Sequence, residues 1–185
     1  MSISPKVVRS LLAIAIFTST ALLPPLLRAV TRKPPNAEVG AQLDAAKDEA
    51  FELARDADDM TSLLRNDVSW QSHADMLSRI KDHVNNMGKI LEKLQSERDE
   101  ASPWQQQAID RMVPLLKEIA NNTTAAIEHL NKNQLRPVSG DYKDYLLQNA
   151  ETAHQLADMI SSYEKYGRTR TKLEELQDKI EAPTN

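Results

Sequence analysis

The 185-residue chain contains 4 glycines, 9 prolines and no cysteine, and only 4% of its residues are aromatic. So few glycines argue against a sheet-rich fold with many tight turns and against a glycine-rich phosphate-binding loop. The absence of cysteine excludes disulfides, thiol nucleophiles, cysteine-ligated zinc, iron–sulfur clusters and acylation of a lipoprotein cysteine.

The formal charge of −4 is divided unevenly along the chain. Residues 1–36 contain five basic residues and no acidic residue, whereas residues 37–185 contain 18 basic and 27 acidic residues. A surface that binds nucleic acid needs clustered Lys and Arg to neutralise phosphates. The acidic body has no dense basic cluster, which argues against nucleic acid as the main partner.

The N-terminus has the order of an export signal. Two basic residues, Lys6 and Arg9, precede the mostly apolar run 11–27, which Pro24-Pro25 interrupts. A positive start, an apolar helix, a breaker and small residues near the end are typical of signal peptides. We therefore predict that residues 1–29 are an export signal peptide that is cleaved.

Two alternatives to cleavage stay open for this segment. Its 17-residue apolar run is close to the short limit of the roughly 20 residues that span a bilayer, so it is also compatible with an uncleaved signal anchor. The other alternative is a buried segment of a cytosolic protein. The first two interpretations predict a periplasmic or extracellular body, free or anchored in the cytoplasmic membrane.

Apolar residues recur at alternating steps of three and four along the rest of the chain, which places them on one face of a helix. The pattern occurs four times and predicts helices over about 36–65, 70–100, 103–133 and 141–181. A Pro-rich linker, residues 30–37, precedes a predicted four-helix bundle over residues 38–182.

Several residues mark the predicted helix boundaries. Asn36 is a candidate N-cap, and Ser102 with Gln105 forms a candidate capping box. Pro114 lies inside the third pattern, so we expect a kink rather than an end. The fourth pattern changes phase at Gly167, which predicts a bend or short break over 166–168, after which the tail either overhangs or folds back.

Near-equal helix lengths and short connections predict an all-α, up-down-up-down antiparallel four-helix bundle. The alternative is a pair of long helical hairpins that associate between chains. The scarce aromatics are expected to close the two ends. Trp70, Tyr142 and Tyr145 would lie at one end, and Trp104, Tyr163 and Tyr166 at the other.

His73 occupies a position in the second pattern where an apolar residue is expected. A neutral imidazole there can ligate a metal or titrate as a pH sensor. The simpler interpretation is a histidine near the end of the bundle that bonds a carbonyl or water, and the sequence favours it.

Glu151 and His154 have the Glu-x-x-His spacing of di-iron bundles, which need a second copy and two further carboxylates. The sequence contains no second copy, and Glu151 and His154 lie beside the apolar pattern. The architecture is also similar to that of cytochrome b562-type haem bundles, which place an axial Met at the start of the first helix and an axial His near the end of the last. Met60 ends the first helix and His154 is in the first half of the fourth, so no haem function follows.

These features predict a non-enzymatic, exported helical bundle of a bacterial-type cell envelope that acts through contacts with an unidentified protein. No catalytic, cofactor-binding or metal-binding residue is assigned, and homo-oligomerisation stays open. The alternative is a metal- or cofactor-binding bundle that uses His73 or Glu151 and His154. A ligand-binding sensor bundle ranks last, because it normally needs a second membrane span.

Overall fold

The computed structural model describes residues 33–65 and 68–181, and this part of the chain is all-helical. The predicted export signal, residues 1–29, and residues 30–32 of the predicted linker lie outside the described residues. A 3₁₀ turn, Arg98–Glu100, connects the second helix to the third. The four helices are α1 (Ala37–Leu63), α2 (Trp70–Ser96), α3 (Pro103–Lys132) and α4 (Tyr142–Glu181).

The helices form a bundle in which each helix packs mainly against two neighbours. Both α1 and α3 contact α2 and α4. Burying a large aliphatic side chain contributes about 1.5–3 kcal/mol, so the shared core is the main source of stability. It is built from the apolar positions that the sequence pattern predicts, and its largest fully buried members include Leu43, Leu53, Met60, Leu77, Ile80, Met87, Leu94, Ile109, Met112, Ile119 and Leu146.

The predicted caps of α1 and α3 are confirmed, and they meet. The Asn36 side chain accepts hydrogen bonds from the backbone N–H groups of Glu38 and Val39. Ser102 and Gln105 form the capping box of α3. The Gln105 amide also accepts from Asn36 N at 2.9 Å and donates to Asn36 O at 2.8 Å. One buried side chain therefore joins the starts of two helices.

The remaining helix boundaries lie close to the predicted ones. Ser69 caps α2 through a bond from Ser72 N. The helix α3 runs through Pro114 without ending, as predicted. Before α4, Gly140 adopts a φ of 51°, a conformation that glycine reaches without the steric cost of a side chain.

The predicted break over 166–168 is absent, because α4 is one continuous helix of 40 residues. Gly167 lies against the indole of Trp104, and a Cβ on this glycine would stand 2.5 Å from Trp104 Cζ2. Glycine lets α4 approach the indole ring closely while the helix continues. Its weak helix propensity is offset by this packing.

The C-terminal part of α4 overhangs and does not fold back. Every residue from Arg168 to Glu181 is exposed apart from the half-buried Arg170. At 1.5 Å per residue this segment extends about 20 Å beyond Gly167. We call residues 168–181 the overhang. No helix within residues 33–65 and 68–181 is long and apolar enough to cross a bilayer.

The predicted aromatic ends are found in part. Tyr142 is fully buried near the start of α4. In the second predicted aromatic group, the rings of Trp104 and Tyr166 are in edge contact, with 6.5 Å between their centroids. Tyr166 itself is 54% exposed, so it covers Trp104 without closing the bundle.

Gly167→Ala should lower the free energy of unfolding by about 1–3 kcal/mol, because the new methyl group overpacks against Trp104. The matched control is Gly88→Ala, also within a helix, where nothing lies within 4 Å of the added Cβ. That variant should be more stable than the parent by up to about 1 kcal/mol. Urea unfolding followed by circular dichroism measures both, and equal stability of the two variants would contradict the close contact.

Candidate functional site

The α4 segment that precedes the overhang is tied to α1 by a buried carboxylate. Glu164 is 7% exposed, and its Oε2 accepts from Lys47 Nζ at 2.8 Å and from Arg168 Nη2 at 2.9 Å. Asp44 Oδ1 accepts from the same two cations, at 2.9 and 3.0 Å. Two carboxylates and two cations thus form a closed network that fixes α4 against α1.

Burial and charge act in opposite directions on this network. Burial raises the pKa of Glu164, and the hydrogen bond from Lys47 opposes that rise. The same lysine lowers the pKa of Asp44 through a hydrogen bond. In turn, the bond to Glu164 raises the pKa of Lys47. Each of the four side chains thus has an oppositely charged partner, which suits a network that positions a helix.

Open clefts lie on both sides of Trp104. One, of about 500 Å³, reaches from the start of α1 to Lys172 on α4, and the other, of about 530 Å³, is lined by Arg111 and Tyr163 among others. Trp104 Nε1 and Glu164 Oε1 have no hydrogen-bond partner among the described residues, but both atoms are sealed from solvent. A molecule in either cleft therefore does not reach them in this conformation.

The overhang and the turn before it carry an apolar row, which faces away from the bundle beyond Gly167. Steps of three and four separate its members, and Ile180 is 82% exposed. Leu176 follows the core residue Ile160 by sixteen positions, which at about 100° per residue places it about 160° round the helix. We call this row the outer stripe; it consists of Tyr166, Thr169, Leu173, Leu176 and Ile180.

At the other end of the molecule, His73 lies in a buried aromatic cluster. His73 is fully buried, and its Nδ1 lies 3.2 Å from the hydroxyl of Tyr142. The ring of His129 stacks on Tyr142 at 5.2 Å, and His129 Nε2 lies 3.2 Å from the hydroxyl of Ser139. The partner of His73 Nδ1 is therefore the Tyr142 hydroxyl and not a backbone carbonyl.

Burial lowers the pKa of His73 and raises the pKa of Tyr142. Both shifts favour the neutral forms, which a hydrogen bond in an apolar surrounding requires. Nε2 of His73 has no partner among the described residues. Within the same part of the chain, no three His, Asp or Glu side chains are placed to hold a metal ion.

Glu151 and His154 are both exposed, as predicted. They bind different partners. Glu151 Oε1 accepts from Gln155 Nε2 at 3.3 Å, whereas His154 Nε2 lies 2.9 Å from Asp58 Oδ2 on α1. The two residues of the Glu-x-x-His motif therefore make two separate surface contacts and do not share a partner.

One polar cluster was missed by the sequence analysis. His83 Nδ1 lies 2.7 Å from Glu49 Oε1, and its Nε2 lies 3.4 Å from Asp56 Oδ2. Asp56 is only 3% exposed and also lies 3.6 Å from Arg79. The available signal was the spacing: seven residues separate the two carboxylates on α1, and four separate the two bases on α2. These spacings put each pair on one helix edge.

No protein-family model, curated protein or solved structure matches the chain. The function therefore has to be inferred from the geometry of the described residues and from the sequence pattern.

The free energy of unfolding should fall as the pH decreases from about 6.5, because the pKa of His73 lies below its ordinary value of 6.5 in the folded state. Below this pH the imidazole of His73 is protonated in the unfolded chain but stays neutral in the folded chain. The free energy of unfolding therefore falls by at most about 1.4 kcal/mol per pH unit. Urea unfolding at pH 7 and near pH 5.5 measures the effect.

The double variant His73→Leu with Tyr142→Phe removes both hydrogen-bonding partners, so no buried polar atom of the pair is left alone. Its stability should depend less on pH over this interval than that of the parent. An unchanged pH dependence would contradict a buried neutral His73.

Proposed function

We propose that this protein is an exported, non-enzymatic member of a bacterial-type cell envelope, which acts as a protein-interaction module built on an up-down-up-down antiparallel four-helix bundle. The observation that carries this proposal is the outer stripe. Leu173, Leu176 and Ile180 are 56%, 47% and 82% exposed, on a helix that extends beyond its own bundle.

Regular spacing distinguishes the outer stripe from ordinary surface apolar residues. Single exposed apolar side chains are common and need no explanation. Here the steps of three and four follow a heptad, with Tyr166, Leu173 and Ile180 at position a and Thr169 and Leu176 at position d. Such a seam is typical of a helix that pairs with another helix.

Contacts between distant residues support the antiparallel arrangement. Glu38, at the start of α1, lies 3.3 Å from Lys93, near the end of α2. Asn36 bonds Gln105 at the start of α3, and Lys47 bonds Glu164 in the second half of α4. These pairs are those expected when successive helices alternate in direction.

The proposal of export is supported by the sequence of residues 1–29, with its basic start, its apolar run and its proline breaker. The proposal of a non-enzymatic role is supported by the hydrogen bonds of the buried polar groups, which are made to other side chains of the bundle. Glu164 bonds Lys47 and Arg168, and His73 bonds Tyr142, so each takes part in holding helices together.

Metal or cofactor binding through His73 is the second candidate, and the unpartnered Nε2 of this residue is the observation in its favour. Metal that is bound in proportion to the purified full-length chain and lost in His73→Ala would support it. Such a result would count against an interaction module without a prosthetic group.

Leu173→Ser with Leu176→Ser should abolish crosslinking of the protein to a partner in its native envelope, because the apolar seam is removed. Both side chains are exposed, so the free energy of unfolding should change by less than about 0.5 kcal/mol. Leu135→Ser, at a loop residue that is 99% exposed, is the matched control and should keep the crosslink. Equal crosslinking by all three proteins would contradict the proposal.

N-terminal sequencing of the protein from fractionated cells should find a mature chain that begins near residue 30 in the periplasmic or extracellular fraction. A chain that still begins at residue 1 in the membrane fraction would contradict cleavage and favour the signal anchor. A full-length chain in the cytosol would contradict export itself.

A further inference from the structure

One edge of the outer stripe is a row of lysines. In the heptad that the stripe defines, Lys165, Lys172 and Lys179 occupy position g at intervals of seven residues, all exposed. None of the three forms an ion pair among the described residues. On the other edge, position e is held by Arg170 and Gln177. Arg170 is already bonded to Glu174, at 2.9 Å between Nε and Oε1.

The acidic residues of the overhang lie elsewhere on the helix. Glu174, Glu175, Asp178 and Glu181 occupy positions b, c and f, which do not face a helix packed on the a and d seam. The overhang contains four basic and four acidic residues and is neutral as a whole. A partner helix in contact with the seam meets the lysine edge first, since e and g positions select the partner.

Two other occupants fit this charge distribution less well. In a parallel pair of two copies of this chain, Lys165 of one copy would face Arg170 of the other, and in an antiparallel pair the lysine edges would face each other. A lipid surface suits a broad apolar face and a net basic polar face. The outer stripe is a narrow seam with Thr169 within it, on a segment without net charge.

We propose that the outer stripe binds an amphipathic helix of another protein whose e and g positions are acidic. This proposal rests on the proposed interaction function and adds the chemistry of the partner. The stripe from Tyr166 to Ile180 spans about 21 Å, or two heptads, at 1.5 Å per residue. Apolar contact provides the affinity, and the lysine edge selects against basic and neutral helices.

The experiment uses the full-length protein in a non-ionic detergent and two labelled three-heptad peptides. Both peptides carry Leu at a and d, but one carries Glu at e and g and the other Lys. Fluorescence anisotropy should show that the acidic peptide binds about tenfold more tightly, since each exposed charge pair contributes modestly and several add up. The ratio should shrink at about 0.5 M salt, where exposed charges are screened.

Charge reversal tests the lysine edge directly. The triple variant Lys165→Glu, Lys172→Glu and Lys179→Glu should prefer the basic peptide. The matched control Lys81→Glu, Lys117→Glu and Lys143→Glu changes the net charge equally at exposed lysines away from the stripe, and it should keep the preference for the acidic peptide. If both triple variants behave alike, the preference reflects net charge and the proposal is wrong.

The remaining outcomes separate this proposal from the interaction function. Equal binding of both peptides, lost in Leu173→Ser with Leu176→Ser, would overturn the acidic partner and leave the interaction function intact. Failure of both peptides to bind, together with unchanged envelope crosslinking in that variant, would overturn both proposals. Self-association in sedimentation, or binding to phosphatidylglycerol vesicles, that depends on Leu176 would replace the acidic helix with a second copy or a lipid surface.

Discussion

The contact of Gly167 with the indole of Trp104 is the constraint on which this end of the molecule depends. A Cβ at residue 167 would stand 2.5 Å from the ring, so only glycine allows α4 to approach α3 so closely. Because the backbone stays helical at this point, α4 continues beyond the bundle as part of the same packed helix. The direction of the overhang is therefore set by the core.

Polar contacts at the same end hold the surrounding helices in register. Gln105 joins the starts of α1 and α3, and Glu164 joins α4 to α1 through Lys47. Burial of a polar group lowers the stability of the fold unless the group is hydrogen-bonded. Removal of one partner therefore destabilises the fold by leaving the other partner buried without a hydrogen bond. These contacts favour one alignment of the helices over alternatives that an apolar core of alanine, leucine and methionine would tolerate.

The local features of the fold were predictable from the sequence because they depend on neighbours in the chain. Apolar spacing identified all four helices, and the Asn36 cap and the Ser102–Gln105 capping box are both present. Contacts between residues far apart in the chain were not predictable in this way. The bond of His73 to Tyr142 joins residues 69 positions apart, and no local spacing indicates it.

The predicted break at 166–168, which the continuous α4 helix contradicts, has a specific physical origin. A change of phase in an apolar pattern was interpreted as a change in backbone direction, supported by a glycine. The structure separates the two observations: the glycine serves the contact with Trp104, and the change of phase marks a change in which face of the helix is apolar. Apolar periodicity reports the covered face of a helix and does not say what covers it.

Beyond Gly167 the amphipathic character of α4 is reversed, which is the strongest argument for the proposed interaction surface. Asp178 follows Ile160 by eighteen residues, about five full turns, and so lies on the face that is apolar within the bundle. Leucines and an isoleucine lie instead on the face that is polar within the bundle. A helix that merely frayed past its core would lose its apolar pattern, whereas this one keeps the heptad spacing and turns it outward. Its charges follow the same order, with lysines along the edge of the seam and carboxylates behind it, and this arrangement is what the proposed helix–helix contact requires.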